Sequence, residues 1–335
     1  MIKIKSIQFI RAVAALAVLA FHIVGAPFVV GAAGVDLFFV ISGFIMGTFG
    51  NDVPPQRFLY HRIVRIVPLY WAVTLLMCVG AMAGVFSSFS FTPEQLWMSL
   101  LFIPYFNEAG EVAPLVVVGW TLNMEMFFYA VFALGLALRA PVAVTAVVLG
   151  AMTLAGLVLD LRTPVAQSWM SPLLLEFLAG LLLARMVLPR REYAVPLIVL
   201  SLTGFALAAA GGGDPAGLWR VLIWGVPSFL VVAGCLTLEK AGAWPQRLLA
   251  PVEKIGDASY ALYLLHGLVI SVIYRLIEPG LAASTAIVVL SLAVAFAAHV
   301  TVEKPATQFL RRFGGRAVRY PAAPARGMNP AKTNG

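Results

Sequence analysis

Charged residues are scarce in this sequence. Asp, Glu, Lys and Arg together make up 11% of the 335 residues, and hydrophobic residues make up 61%. A soluble domain typically carries about 25% charged residues. The composition therefore excludes a soluble globular protein, and no stretch is polar enough to form a separate soluble domain. It predicts an all-α polytopic membrane protein embedded in the lipid bilayer.

Cysteine is also scarce, with Cys78 and Cys235 both inside apolar segments. Neither a CxxC pair nor a Cys/His spacing typical of a metal site occurs, so no metal cofactor is expected and the two thiols are predicted to pack in the core. The formal net charge of +8 is spread over short loops and the C-terminal tail. Nucleic-acid binding needs basic residues concentrated on one face, so nucleic acid is excluded as a partner.

About ten apolar segments are long enough to cross roughly 30 Å of hydrocarbon as transmembrane helices. They are predicted near residues 8–26, 31–49, 66–86, 115–138, 141–159, 171–188, 194–210, 219–238, 258–277 and 282–302. The connection 87–114 contains a shorter apolar piece from Glu94 to Tyr105, which is predicted to lie on or re-enter the membrane interface. If this piece crossed the membrane, the orientation of every later helix would invert.

The distribution of basic residues predicts the orientation. With the N-terminus in the cytoplasm, only Arg162, Arg220 and Arg275 of the 23 Lys and Arg residues fall outside, apart from the intramembrane Arg11. This asymmetry follows the positive-inside rule and predicts that both termini are cytoplasmic. Residues 1–305 are predicted to form the membrane-embedded domain. Residues 306–335 are predicted to be a basic, disordered cytoplasmic tail drawn to anionic lipid.

Two polar residues interrupt the first segment. Arg11 and His22 are eleven residues apart, which places them on nearly one helix face and about 16 Å apart along the axis. An arginine at membrane depth costs about 2.5–3.5 kcal/mol even on lenient insertion scales, so Arg11 should face protein or water. The alternative is a snorkelling arginine and a structural core histidine.

The second segment opens GVDLFFVISGF, with Asp36 in its outer part and Ser42 near its middle. His22 also lies in the outer part of its segment. Asp36 is therefore predicted to reach His22 across the turn at 27–30 and to hold one imidazole nitrogen, as a general base requires. The alternative is that Asp36 only caps the second helix.

The run RFLYHRIVRIVPLYW stands before the third segment and supplies Arg57, His61, Arg62 and Arg65. Arg62 and Arg65 are three residues apart and share one helix face. Guanidinium forks suit phosphate oxygens, so a phosphorylated cofactor could bind here. Ordinary membrane anchoring explains the same residues equally well.

Later segments carry further buried polar residues. The fourth contains Trp120, Asn123 and Glu125, and Arg11 is the candidate partner for Glu125. In the ninth, Tyr260, Tyr263 and His266 recur every three residues on one face. Tyr260 is predicted to belong to an interfacial aromatic belt, whereas His266 lies deeper. His299, Glu303 and Lys304 near the end of the tenth are predicted to cap or anchor it.

These motifs resemble the acyltransferase-3 family of integral-membrane O-acyltransferases, which modify bacterial exopolysaccharides, O-antigens and other glycans. The resemblance covers roughly residues 5–305, with Gly267 where family members often have proline. It rests on IQFIRAVAALAVLAFH, GVDLFFVISGF, the pair Arg62 and Arg65, WTLNMEMFFY, SYALYLLH and VEKP.

The resemblance implies acetyl-CoA or another acyl-CoA as donor and a hydroxyl of a glycan or lipid-linked saccharide as acceptor, at the bacterial inner membrane. It also implies Arg11 and His22 in the catalytic centre and adds functional weight to Ser42, the arginine pair and Glu125. Acyl transfer needs a base and oxyanion stabilisation.

We therefore expect His22 to be the base, with Asp36 as its orienter, and Arg11 and Glu125 to belong to the catalytic group. Arg57, Arg62, Arg65 and Ser42 should bind the donor. Trp120, Asn123, Tyr263 and His266 should contact substrate or support the site. The alternative function is a proton- or substrate-coupled transporter that uses the same polar residues as a relay.

Overall fold

The computed structural model describes residues 4–26, 28–50, 53–84, 89–159 and 161–313. These residues form fifteen α-helices joined by short 3₁₀ and π turns. The helices are α1 (Lys5–Val24), α2 (Gly34–Phe49), α3 (Pro55–Met82), α4 (Pro93–Leu100), α5 (Trp120–Ala137), α6 (Pro141–Leu159), α7 (Pro164–Trp169), α8 (Leu174–Leu183), α9 (Ala194–Gly211), α10 (Gly217–Arg220), α11 (Val226–Lys240), α12 (Gln246–Asp257), α13 (Ser259–Leu276), α14 (Leu281–Ala298) and α15 (Lys304–Arg311).

Ten stretches of the described chain are long and apolar enough to cross a membrane, which confirms the predicted number of spans. They are Lys5–Val24, Val29–Phe49, Pro55–Met82, Val117–Ala137, Pro141–Leu159, Pro164–Leu183, Arg191–Gly211, Gly217–Lys240, Ser259–Leu276 and Leu281–Arg311. We call the end of the bundle where the first and third spans begin the basic face, and the other end the opposite face.

Three spans differ from their predicted bounds. The third begins at Pro55, because proline is favoured in the first turn of a helix, so its arginine run lies inside the helix rather than before it. The sixth consists of α7 and α8 with a break before Leu174. The tenth continues through a π turn, His299–Glu303, to Arg311. Residues 306–311 of the predicted tail are therefore helical, and residues 314–335 lie outside the described part of the chain.

Helices α2 and α8 cross at close range, and this crossing depends on glycine. A methyl group on Gly43 would meet the backbone carbonyl of Phe177, and one on Gly180 would meet that of Val40. Gly47, one turn further along α2, packs against Ala184 in the same way. Small residues four apart let transmembrane helices approach closely. This crossing fixes the position of Ser42, the neighbour of Gly43.

The connection between the third and fourth spans folds back onto the bundle at the opposite face. Its short helix α4 starts with a capping box formed by Thr92 and Gln95. Phe102 then stacks on Tyr70 with ring centroids 4.9 Å apart, and Ser99 accepts a bond from the Leu115 N–H at 3.1 Å. The predicted apolar piece therefore forms only a short helix, and Leu100 and Phe102 hold its end against the third span.

Candidate functional site

Polar side chains from five spans surround a cavity of about 80 Å³ inside the bundle, which we call the inner cavity. This volume holds roughly five to eight water molecules. Eight apolar and nine polar residues line it, and the polar ones are Arg11, Ser42, Arg62, Arg65, Thr121, Glu125, Tyr129, Tyr260 and Tyr263. The structure therefore brings Arg11, Ser42, Glu125 and the arginine pair, all predicted site residues, around one space.

Glu125 is held by hydroxyl groups on one side of this cavity. It accepts a hydrogen bond from Ser42 Oγ at 2.9 Å and another from the Tyr129 hydroxyl, one helical turn away. Two donors on one carboxylate oxygen stabilise its charge and fix its orientation. Ser42 therefore serves as a partner of Glu125, a role that the sequence did not indicate.

Arg11 is 8% exposed, and its guanidinium Nε donates to Ser259 Oγ at 3.1 Å. Glu125 was the predicted partner of Arg11, and it lines the same cavity. The hydrogen bond of Arg11 is instead made to Ser259 of the ninth span. Ser259 begins α13, so this bond ties the first span to the ninth at the level of the cavity. The rest of the guanidinium borders the cavity.

Arg62 is buried between aromatic rings. Its guanidinium carbon lies 5.7 Å from the Phe58 ring centroid and 5.9 Å from that of Tyr129, distances typical of cation–π contacts. Arg65 lines the cavity beside it, as the spacing of three predicts. Arg57 lies at the start of the same helix, two turns from Arg65, and does not line the inner cavity.

His22 and His266 form a pair nearer the opposite face. Nε2 of His266 lies 3.3 Å from Nδ1 of His22, which is also 2.8 Å from the carbonyl oxygen of Val18. Nδ1 of His266 lies 3.2 Å from the carbonyl oxygen of Leu262. Carbonyl oxygens only accept, so each neutral ring carries its proton on Nδ1. His266 then accepts from His22, and Nε2 of His22 is left as a proton acceptor.

Tyr263 connects the histidine pair to the inner cavity. It lines the cavity, and its ring centroid is 6.0 Å from that of His266. Its hydroxyl donates to the carbonyl oxygen of Val118 at 3.1 Å and lies 3.1 Å from Thr121 Oγ1. Tyr260, which was expected in an interfacial belt, lines the cavity instead and donates to the carbonyl oxygen of Ile66 at 2.7 Å. That expectation was wrong because α13 begins deep in the bundle, at the fully buried Ser259.

Asp36 does not pair with His22, so that prediction was wrong. Its fully buried carboxylate receives Nε and Nη2 of Arg220 at 3.2 and 2.8 Å. Asp36 faces the eighth span, whereas His22 faces the ninth. Arg220, expected as an external loop cation, stands at the start of the eighth span and also lies over the Trp224 ring. Glu176 is buried beside Asp36, and no pattern in the sequence indicated this third member of the group.

The two remaining predicted residues lie on the fourth span. The Trp120 ring meets Phe39 edge-on at 6.4 Å between centroids, and Asn123 is buried. Neither lines the inner cavity. Cys78 and Cys235 are both buried free thiols, as predicted. The described residues include no group of three or more His, Cys, Asp or Glu side chains that could hold a metal ion.

Ten apolar helices around an arginine- and carboxylate-lined cavity define a multi-pass membrane protein with a polar site inside its bundle. The family profile described as an acyltransferase domain matches residues 4–300. The chain belongs to this acyltransferase-3 family, in agreement with the motifs in its sequence.

Similar proteins carry names consistent with that family. The chain is 39% identical over 313 residues to the exopolysaccharide production protein ExoZ of Rhizobium meliloti, covering 89% of this chain and 95% of the relative. It is 25% identical to the putative membrane-bound transacylase BcsY of Komagataeibacter xylinus, over 84% of this chain and 78% of the relative. It is 28% identical over 38% of its length to the peptidoglycan O-acetyltransferase OatA of Listeria monocytogenes, covering 23% of that protein. No solved structure matches the chain.

Proposed function

We propose that this membrane acyltransferase transfers an acyl group, most simply acetyl, from acyl-CoA to a hydroxyl of an exported carbohydrate at the bacterial inner membrane. The observation that carries the proposal is the inner cavity, where Arg11, Arg62 and Arg65 surround one small space together with the Ser42–Glu125 pair. The carbohydrate acceptor is supported by the names of the exopolysaccharide and peptidoglycan relatives.

The donor approaches from the basic face, which is the cytoplasmic face in this proposal. Arg62 and Arg65 lie near that face on the third span. Arg57 is a third arginine on the same helix, two turns before Arg65 and closer to the helix start. Forked, charge-assisted hydrogen bonds suit the phosphate groups of coenzyme A. The small size of the inner cavity favours a short acyl group such as acetyl over a long acyl chain.

His22 acts as the general base through Nε2, and His266 holds its Nδ1–H. The acceptor hydroxyl gives its proton to Nε2 while its oxygen forms a bond to the thioester carbonyl carbon. The carbon–sulfur bond then breaks, and the departing sulfur takes up the proton, giving an ester and free coenzyme A. Arg11 lies on the donor's route, where its positive charge suits the anionic groups of the donor.

The acceptor reaches His22 from the opposite face. The His22 residue is exposed at that end of the first span, whereas His266 is 1% exposed and packed behind it. An imidazole that is exposed on one side and hydrogen-bonded on the other fits a base whose substrate arrives from outside the bundle. Donor and acceptor therefore enter from opposite faces and meet along the inner side of the first span.

The test is mass spectrometry of cell-surface and secreted glycans from cells with the gene, without it, and complemented with His22→Ala. Gene loss should remove a base-labile acyl ester from a defined sugar, and His22→Ala should fail to restore it although the protein is inserted. A glycan profile that is unchanged by gene loss would contradict the proposal.

A further inference from the structure

A second cavity of about 450 Å³, which we call the vestibule, adjoins the inner cavity at the basic face. It lies between the start of the first span, the end of the second, the first turns of the third and the end of the tenth. Arg11, Ile45 and Arg65 line both cavities. A molecule bound in the vestibule would therefore touch the same arginines as one in the inner cavity.

The vestibule has more basic than acidic side chains. Arg11, Arg65, Lys304 and Arg311 line it, against the carboxylates of Asp257 and Glu303. Glu303 is already engaged by His299, whose Nδ1 lies 2.9 Å away. Net positive charge on a concave, partly apolar wall favours an anion that also carries a flat apolar body. Phosphorylated nucleosides have this combination.

Hydrogen bonds to the third span fix the position of the vestibule residues that belong to the tenth span. The Tyr60 hydroxyl donates to the carbonyl oxygen of Leu310 at 2.6 Å, and Thr307 Oγ1 reaches that of Val64 at 3.4 Å. These bonds fasten α15 to the third span, beside Arg65. The π turn His299–Glu303 precedes Pro305, which lacks the N–H that an α-helix would use there. Lys304, Gln308 and Arg311 are thereby brought to the vestibule.

We propose that the vestibule binds the nucleotide end of the donor, with Lys304, Gln308 and Arg311 of the tenth span contacting the phosphorylated adenosine. This inference rests on the proposed use of acyl-CoA. The vestibule is much the larger of the two cavities, as the bulky nucleotide of such a donor requires. Arg11 and Arg65 stand where the two parts join.

The test compares two donors on the purified full-length protein: acetyl-CoA, and acetyl-pantetheine, which lacks the nucleotide. Lys304→Gln should raise the KM for acetyl-CoA about threefold, because an exposed charge contributes modestly. Lys304→Gln combined with Arg311→Gln should raise it roughly tenfold or more. Both variants should keep the wild-type KM for acetyl-pantetheine, because this donor lacks the nucleotide that the two side chains contact.

Arg312→Gln is the matched control, because Arg312 is the exposed neighbour of Arg311 and does not line the vestibule. It should leave both KM values unchanged. Lys304→Gln changes an exposed side chain, so it keeps the test valid even if the double variant fails to fold. Lys304→Arg keeps the positive charge and should therefore retain the wild-type KM for acetyl-CoA.

Two results would overturn the inference alone: an unchanged KM for acetyl-CoA in Lys304→Gln and the double variant, or an equal rise for both donors. A wild-type protein that uses neither donor would overturn the proposed function and this inference together. The wild-type assay with acetyl-CoA thus separates the two failures.

Discussion

The neutral His22 ring presents Nε2 as its acceptor because His266 and the Val18 carbonyl occupy Nδ1. His22→Ala should lower the rate of acyl transfer by about 10²–10⁴-fold, the usual contribution of a placed base, with little change in KM for acyl-CoA. His61→Ala is a control, since His61 lies on the third span and does not line the inner cavity. Near-normal transfer by an inserted His22→Ala protein would reduce His22 to a packing residue.

The role of His266 is positional. His266→Phe keeps a flat ring but removes the acceptor for His22 Nδ1–H, so the His22 ring loses one of its two restraints. We expect kcat to fall by up to about 100-fold, as for other misplaced catalytic groups, with KM for acyl-CoA unchanged. If activity falls only in proportion to the yield of folded protein, His266 has a packing role alone.

Asp36 and Arg220 form a buried pair, and its loss should appear in stability rather than in chemistry. Arg220→Met leaves the Asp36 and Glu176 carboxyl groups without their cation. Breaking a buried pair in this way typically costs about 3–5 kcal/mol. Asp36→Asn should cost less, because Glu176 remains beside Arg220. Thermal unfolding in detergent compares the stability of the two variants. A larger loss of stability for Asp36→Asn than for Arg220→Met would contradict this assignment.

At the scale of elements, the α2–α8 crossing carries Ser42 and therefore the Glu125 network. Gly43→Ala puts a methyl group against the Phe177 carbonyl, where backbone on both sides prevents adjustment. Overpacking of this kind costs about 1–3 kcal/mol, and a shift of α2 would move Ser42 away from Glu125. We expect a lower unfolding temperature together with lower activity. Gly150→Ala is the control, because a methyl group there meets nothing.

The transmembrane helices could be predicted from the sequence, but not all of the contacts between them. Hydrophobic length was enough for ten spans, and the spacing of three placed Arg62 and Arg65 on one face of the third span. Asp36 was misassigned because the turn at 27–30 made His22 look near, whereas the true partner, Arg220, is 184 positions away and on a distant span. Glu176 was missed for the same reason, and Tyr260 was misplaced because α13 begins at a fully buried residue, Ser259. Which span packs beside which cannot be read from hydrophobicity.

At the scale of the whole molecule, the orientation of the bundle in the membrane remains a prediction of the positive-inside rule. Ala109→Cys, in the exposed connection before the fourth span, should react with an impermeant thiol reagent from outside intact cells. Arg190→Cys should react only after permeabilisation. The native cysteines are both buried and need no replacement. Labelling in the reverse order would invert the donor and acceptor sides.

The central claim is that one chain moves an acyl group from coenzyme A to a carbohydrate hydroxyl. Purified protein in detergent, where no transport across a membrane is possible, should be given acetyl-CoA labelled in the acetyl group together with glycan from cells that lack the gene. We expect label on the glycan in a base-labile ester, release of free coenzyme A in equal amount, and neither product with His22→Ala. Intact acetyl-CoA and unlabelled glycan in the presence of folded wild-type protein would contradict it.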